Sequence, residues 1–211
     1  MKFVELIIKV PVPAPIERAG LALILLYRKL RYGYSFRRIR LTRGKYAIVD
    51  PEDFVRLNQY RWYCSQSNYA VRATSKKSGK GPKQVEIFMH KIVCPPPKGM
   101  ISDHINRNRL DNRKANLRPA TWTQNAWNRI SVRKTGKTRY NGIRYYKDTK
   151  KWQVRLMING CRLSLGCYAD EQEAAKAYDL AARKYRREYA VLNFPEKRAK
   201  KPKDRPISRE D

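Results

Sequence analysis

The sequence predicts an α+β protein. It has a strand-rich N-terminal region and a C-terminal three-stranded antiparallel sheet packed on one helix. Three observations predict this. Apolar residues alternate with arginines around Ile39 and Leu41, as in a half-buried strand. Asn159 and Gly160 separate two strand-like runs and form a strong two-residue hairpin signal. Alanines and tyrosines recur at helical spacing after Asp170.

The composition and the turn signals divide the chain into five segments. These are a helical extension (1–35), a strand-rich region with a compact core (36–130, core 89–129), a basic linker (131–139), a sheet domain (140–195) and a basic tail expected to be disordered (196–211). In the extension, three prolines precede a helix predicted from about Ile16 to Arg31, ending near Gly33.

The region 36–93 alternates strand and turn signals. A second strand is predicted at 46–49 after the turn at Gly44. Asp50 and Pro51 begin a short helix over 52–59, because an acidic first turn suits the helix dipole. A hairpin over 61–65 and 69–74, a mobile basic loop over 76–83 and a strand over 84–88 follow.

The sheet domain is predicted to contain strands at 142–147, 151–158 and 162–167, followed by a helix that Asp170 caps. Glu173, three residues on, completes a variant capping box. Along the middle strand, alternate residues point to opposite faces. One face carries Trp152, Val154, Leu156 and Ile158 and packs on the alanine-rich helix; the other carries Gln153, Arg155 and Met157.

The charge of the chain indicates a polyanionic partner. Among 211 residues, Lys and Arg number 48 and Asp and Glu number 18, for a formal net charge of +30. A small domain usually carries a net charge of about 2–8, so a merely soluble basic surface is the weaker explanation. The apolar run 19–27 is shorter than the roughly 20 residues of a membrane span. A basic amphipathic helix on a membrane surface is the less favoured alternative for that run.

The cysteines argue against a zinc ribbon, because none of the four forms a C-x-x-C pair. They are interpreted as reduced thiols of a cytosolic protein. The four are Cys64, Cys94, Cys161 and Cys167.

The residue types at 103–128 suit the hydrolysis of a phosphodiester. Asp103 and His104 are adjacent, Asn116 follows His104 by twelve residues and Asn125 by twenty-one. A histidine can deprotonate water near neutral pH. A carboxylate and an amide oxygen suit a hard divalent cation that neutralises the developing charge. Taken singly, these residues are better explained as surface-turn and capping residues than as catalytic residues. The spacing of the whole set favours a catalytic site.

The adjacency of Asp103 and His104 carries a structural prediction of its own. Neighbouring residues of a strand point to opposite faces. The two side chains can therefore serve one site in different roles only if the strand ends or bends there, and this is predicted.

These motifs resemble the zinc-free His-Asn-His (HNH) endonucleases of phages, introns and bacterial genomes. The resemblance covers about 39–129 and rests on MHKIV at 89–93, DHIN at 103–106, LDNRKANLR at 110–118 and QNAWN at 124–128. It implies a small ββα-metal nuclease core. Within that core, the resemblance implies that His104 is the general base, that Asp103 and Asn125 hold one Mg²⁺ or Mn²⁺ ion, and that Asn116 orients the loop or the ring of His104. His90, ahead of the core, is interpreted as a structural or DNA-backbone residue. The position of Asn125 is a histidine in some members.

The segment 140–195 resembles the APETALA2/ethylene-response-factor DNA-binding domain. The matching pieces are YNGIR at 140–144, KW at 151–152, LG at 165–166, EAA at 173–175, AYD at 177–179, AA at 181–182 and LNFP at 192–195. An open sheet face with arginines can enter the major groove and pair with guanine edges. The predicted DNA-binding residues of this face are Arg144, Tyr146, Arg155 and Arg162. Asn141 and Ser164 replace residues usual in plant members, so the target sequence does not carry over.

Together these features predict a homing-type endonuclease of a mobile element or phage. Its partner would be double-stranded DNA, with no membrane and no obligate protein partner. It would be cytoplasmic and associated with the nucleoid, and it would be bacterial or phage-encoded. Two alternatives stay open. One is a non-catalytic DNA-binding regulator with a decayed core. The other is an RNA-binding protein whose Tyr145, Tyr146 and Trp152 stack on unpaired bases.

Overall fold

The computed structural model describes residues 14–78, 81–129 and 138–195 and confirms a mixed α+β protein. The helices are α1 (Ala14–Tyr32), α2 (Pro51–Asn58), α3 (Met89–Val93), α4 (Trp122–Trp127) and α5 (Glu171–Arg186). The strands are β1 (Arg37–Arg40), β2 (Tyr46–Val49), β3 (Tyr63–Cys64), β4 (Ala70–Ser78), β5 (Gly81–Phe88), β6 (Ile101–His104), β7 (Leu117–Ala120), β8 (Ile143–Tyr146), β9 (Lys151–Ile158) and β10 (Cys161–Tyr168). Short 3₁₀ turns occur at Lys114–Asn116 and Arg187–Tyr189. The predicted tail and most of the linker lie outside the described residues.

Helix α1 packs at its C-terminal end onto the first hairpin. Strands β1 and β2 pair antiparallel, and Tyr32 and Phe36 are buried beside Ile48 of β2. The guanidinium of Arg28 lies over the Phe36 ring at 4.5 Å and donates to the carbonyl of Phe36 at 2.8 Å. Among the described residues, no helix is long and apolar enough to cross a membrane.

The interpretation of 76–83 as a loop is wrong. Strand β4 continues to Ser78 and pairs antiparallel with β5 from Gly81 onward, so the strands cover 76–78 and 81–83 of that segment. The cross-strand backbone hydrogen bonds hold this ladder together, and they are available to lysine and glycine as much as to apolar residues. The low apolar content of the segment therefore favoured a loop interpretation over the strand pair.

The middle region is a ββα unit of β6, β7 and α4 set on the N-terminal core. Strands β6 and β7 pair antiparallel, and Asp103 stands directly opposite Arg118. The loop that connects them returns to β2, where the amide of Ile48 donates to Leu110 and the carbonyl of Ile48 accepts from Asn112, both at 2.8 Å. The same buried cluster includes residues of β1, β2, α2, α3 and β7, so the N-terminal strands and the ββα unit share one core.

The C-terminal module is the predicted three-stranded sheet in the order β10-β9-β8, covered by α5. Val154 and Leu156 are buried against Ala174, Ala175 and Ala182 of the helix, as the alternation predicted. Small alanines allow the helix to lie close to the sheet.

Local sequence signals define the turns and the helix start of this module. The side chain of Asp170 accepts from the amides of Gln172 and Glu173, both at 2.9 Å, and so caps α5 as expected. Asn159 and Gly160 both have positive φ, at 47° and 82°, which is the backbone of a type I′ hairpin turn.

Candidate active site

A cavity of about 640 Å³ lies between helix α3, strand β6 and helix α4, with Tyr69 and Phe88 also lining it. Of the residues predicted for catalysis or metal binding, Asp103, His104 and Asn125 line the cavity, and Asn116 is not among its lining residues. His90, predicted as a structural or DNA-backbone residue, also lines it. Several cationic side chains surround them. These are Lys91, Arg107, Arg109 and Arg129, and their charge favours a phosphate-bearing ligand.

Strand β6 brings Asp103 and His104 to the cavity because it ends at His104, as predicted. The chain turns immediately afterwards. The amide of Arg107 donates to the carbonyl of His104 at 2.9 Å, and Arg107 has a φ of 65°. This turn lets two adjacent side chains line one cavity.

Asp103 is buried, with 4% of its surface exposed. Its Oδ2 atom accepts from Nε of Arg118 at 3.0 Å, and both carboxylate oxygens accept from Nδ2 of Asn128 at 3.1 Å. Oδ1 accepts only from Asn128 among the described residues, so a lone pair of that oxygen can face a cation.

His104 is also buried, and burial lowers the pKa of its imidazole. Asn112 and the carboxylates of Asp111 and Asp103 oppose this shift without reversing it, so the ring is neutral near pH 7. A neutral ring is the form that can accept a proton. Nε2 of His104 lies 3.4 Å from Oδ1 of Asn112. In the tautomer that carries its proton on Nε2, the ring donates to that oxygen and Nδ1 is the basic nitrogen.

Asn116 lies at the end of the loop between β6 and β7, and its side-chain amide forms hydrogen bonds within that loop. Its Oδ1 accepts from the amide of Asn106 at 3.0 Å, and its Nδ2 donates to the carbonyl of Asp111 at 2.8 Å. The sequence left open whether Asn116 orients the loop or the ring of His104. The structure places it in the loop, and the amide beside the ring belongs to Asn112.

His90 packs its ring against that of His104, with the ring centroids 5.0 Å apart in an edge-to-face arrangement. Tyr69 and Phe88 lie on its other sides, at 5.2 Å and 5.4 Å. Burial, and then the proximity of His104, lowers the pKa of His90 to about 3. A neutral ring enclosed by aromatic side chains favours a structural role for His90 over the role of a cation that binds phosphate.

The donor set of the cavity fits a hard divalent cation. Among the described residues, no three His, Cys, Asp or Glu side chains gather as a closed metal cage. The cavity instead offers the carboxylate of Asp103 and the amide oxygen of Asn125. Mg²⁺ is usually bound by one or two carboxylates, with water and substrate phosphate at the other positions, so an open oxygen site of this kind suits Mg²⁺ or Mn²⁺.

The predicted DNA-binding residues of the C-terminal module share one face of its sheet. Arg162 stands opposite Met157 and Arg144 stands opposite Gln153, on the side that faces away from α5. Arg155 donates to the hydroxyl of Tyr146 at 2.6 Å, and Arg144 lies 5.4 Å from the centroid of the same ring.

Sequence reasoning missed three residues of the site, namely Asn112, Arg118 and Asn128. Two of them had a detectable signal. Asn128 lies three residues after Asn125, which puts both on one side of a helix. Arg118 faces Asp103 once the two strands are paired in register. Nothing in the sequence around Asn112 indicated its place beside His104, because that place depends on a hydrogen bond to Ile48 of β2, which is distant in the sequence.

Comparisons with known proteins agree with both resemblances. Residues 94–127 match the family described as HNH endonuclease. A protein of Acanthamoeba polyphaga mimivirus, named as an uncharacterized HNH endonuclease, is 27% identical over 153 residues, which are 72% of this chain and 76% of that protein. The AP2-like ethylene-responsive transcription factors AIL7 and AIL6 of Arabidopsis thaliana are each 41% identical over 61 residues, or 28% of this chain. This chain spans only 12% and 10% of those two factors.

Proposed function

We propose that the chain is a metal-dependent DNA endonuclease that its C-terminal sheet module directs to a site on double-stranded DNA. The observation that carries the proposal is the cavity in which Asp103, His104 and Asn125 meet among cationic side chains. The match of residues 94–127 to the HNH endonucleases supports the nuclease activity. The similarity of the sheet module to AP2-like transcription factors supports DNA as the substrate.

In this mechanism, Nδ1 of His104 accepts the proton of the attacking water. Asn112 holds the ring so that this nitrogen is unprotonated. Asp103 and Asn125 would hold a Mg²⁺ or Mn²⁺ ion, which when bound supplies the positive charge that stabilises the leaving oxygen. Arg107 and Arg129 line the same cavity and attract the DNA phosphates.

The open face of the C-terminal sheet is proposed to read the major groove. Arg144, Arg155 and Arg162 present guanidinium groups that can pair with guanine. Tyr146 stacks with Arg144 and accepts from Arg155, which restricts both arginine side chains before DNA binds. A recognition module joined to a cleavage core also supports the proposal that the gene belongs to a mobile element.

A non-catalytic DNA-binding regulator is the second candidate. The observation that favours it is the ion pair between Asp103 and Arg118, because an arginine already neutralises the carboxylate proposed to hold the cation. A DNA-cleavage experiment separates the endonuclease from the regulator.

The experiment incubates the protein with plasmid DNA and Mg²⁺ or Mn²⁺, beside His104→Ala, Asn125→Ala and Asn125→Asp. We expect nicking or linearisation by the native protein and a loss of about 10²–10⁴-fold in His104→Ala, the usual contribution of a general base. Asn125→Asp keeps an oxygen ligand and should retain metal-dependent cleavage that Asn125→Ala loses. Tight DNA binding by the native protein without cleavage under either metal would establish the regulator.

The reading face is tested by Arg155→Ala and Arg162→Ala in equilibrium binding. Each lost base contact should weaken specific binding by roughly 1–3 kcal/mol. The control is Lys176→Ala, which removes one exposed charge from α5, on the other side of the sheet. Equal affinities and sequence preferences for the arginine variants and the control would contradict this assignment.

A further inference from the structure

Arg118 contacts both the active site and the C-terminal module. Its Nε atom donates to Oδ2 of Asp103 at 3.0 Å, while its Nη1 atom donates to the carbonyl of Glu188 at 2.8 Å. The centre of its guanidinium lies 3.9 Å from the centroid of the Tyr189 ring. One side chain therefore joins the proposed metal ligand to the turn that follows α5.

Other contacts reinforce this junction. The hydroxyl of Tyr189 donates to the carbonyl of Pro119 in β7 at 2.9 Å. Arg186, in the last turn of α5, lies over the ring of Trp127 in α4 at 5.5 Å. The strand that carries Arg118 and the helix that carries Asn125 both touch the C-terminal module through these residues.

The backbone at the junction is strained. Arg187 follows α5 with φ 49° and ψ −129°, a conformation that L residues rarely adopt. Such a conformation is unfavourable for an L residue and persists where surrounding contacts determine it. Here it turns the chain so that Glu188 and Tyr189 reach β7.

We propose that the contact of Tyr189 with Arg118 and Pro119 is a fixed joint that sets the distance along DNA between the recognised sequence and the cut phosphate. This proposal rests on the proposed function, since it concerns where that nuclease cuts. The Arg118 side chain is 12% exposed, and its guanidinium is bonded on two sides and stacked on an aromatic ring, so it has little freedom to move. The sheet module then stays at a constant distance from the ββα unit. The length of the segment 130–137 therefore does not decide the cut position.

The test inserts six Gly and Ser residues into the segment 130–137 of the full-length protein, alone and together with Tyr189→Ala. Cleavage of end-labelled DNA that contains the recognised site maps the cut to a single nucleotide. We expect the insertion alone to leave the cut at the native phosphate. We expect the insertion with Tyr189→Ala to spread the cuts over several positions. A shifted or broadened cut with the insertion alone would overturn the joint.

Two controls complete the test. Tyr185→Ala with the insertion removes an exposed tyrosine of α5 and should keep the native cut position. Small-angle X-ray scattering of the same variants without DNA reports docking independently of cleavage. The insertion together with Tyr189→Ala should raise the radius of gyration above that of the insertion alone, and equal values would overturn the joint. If the native protein cuts no DNA, the proposed function fails, while the scattering still decides whether the modules are docked.

Discussion

The Nε2 atom of His104 lies 3.4 Å from Oδ1 of Asn112, a residue whose own position depends on β2. The amide of Asn112 donates to the carbonyl of Ile48, and Asn112 is 1% exposed. The strand-rich region ahead of the ββα unit therefore does more than complete the core. It holds the side chain that contacts the ring of the proposed base.

Replacing Asn112 should impair cleavage without preventing DNA binding. Asn112→Ala removes the acceptor for Nε2–H, so the proton can move to Nδ1 and the ring can rotate. We expect a rate loss of about ten- to a hundredfold, smaller than the roughly 10²–10⁴-fold loss of the base itself. Single-turnover cleavage measures it. Asn58→Ala, an exposed asparagine at the end of α2, is the control, and a native rate in Asn112→Ala would refute the role.

The pH dependence of cleavage should follow the neutral form of His104. Burial lowers the pKa of this imidazole below its ordinary value of 6.5, so cleavage is expected to persist at pH 6.5 and decline only at lower pH. The hydrogen bond that Oδ1 of Asn112 accepts from the ring raises the pKa of His104, so Asn112→Ala should move the decline to still lower pH. The measurement is the single-turnover rate against pH at saturating enzyme. A decline that begins above pH 6.5 would contradict the assignment.

His90 should make the fold sensitive to acid. Its pKa is about 3 in the folded state and about 6.5 in the unfolded chain. Between these values the unfolded state binds the extra proton. The contribution of His90 is therefore fully present above pH 6.5 and is lost as pH falls toward 3, by up to about 1.4 kcal/mol per pH unit.

The variant His90→Phe keeps an aromatic ring in the same enclosure and removes the titrating group. Urea unfolding at pH 7 and pH 5 measures the free energy of unfolding of both proteins. We expect the native protein to lose more stability than His90→Phe on acidification. Parallel losses in the two proteins would show that His90 does not carry the effect.

Gly142 should tolerate no side chain. Its φ is +76°, and a Cβ atom there would lie 2.0 Å from the ring of Tyr178. Overpacking typically costs roughly 1–3 kcal/mol, and the backbone conformation adds a similar penalty. Gly142→Ala is therefore expected to destabilise the C-terminal module and weaken DNA binding. Gly160→Ala is the matched control, because Gly160 also has positive φ, +82°, but nothing lies within 4 Å of its Cβ position. Equal unfolding free energies for the two variants would contradict the steric argument.

The sequence by itself determined the features that depend on neighbours along the chain. The turn at Asn159 and Gly160, the cap at Asp170 and the burial of Val154 and Leu156 all follow from backbone preference or from the period of a strand. The end of β6 at His104 was predicted in the same way, from two adjacent residues that had to serve one site. Such features carry their cause within a few residues, so a sequence displays them directly.

Only the tertiary structure decided which distant residues meet. It placed Asn112, rather than Asn116, beside the ring of His104, because β2 holds the loop from outside the ββα unit. It extended the pairing of β4 and β5 as far as Ser78 and Gly81, where backbone pairing prevailed over basic composition. It also joined Asp103 through Arg118 to Tyr189, seventy-one residues further along the chain than Arg118. Contacts of this kind depend on how whole elements pack, and no short pattern in the sequence encodes that packing.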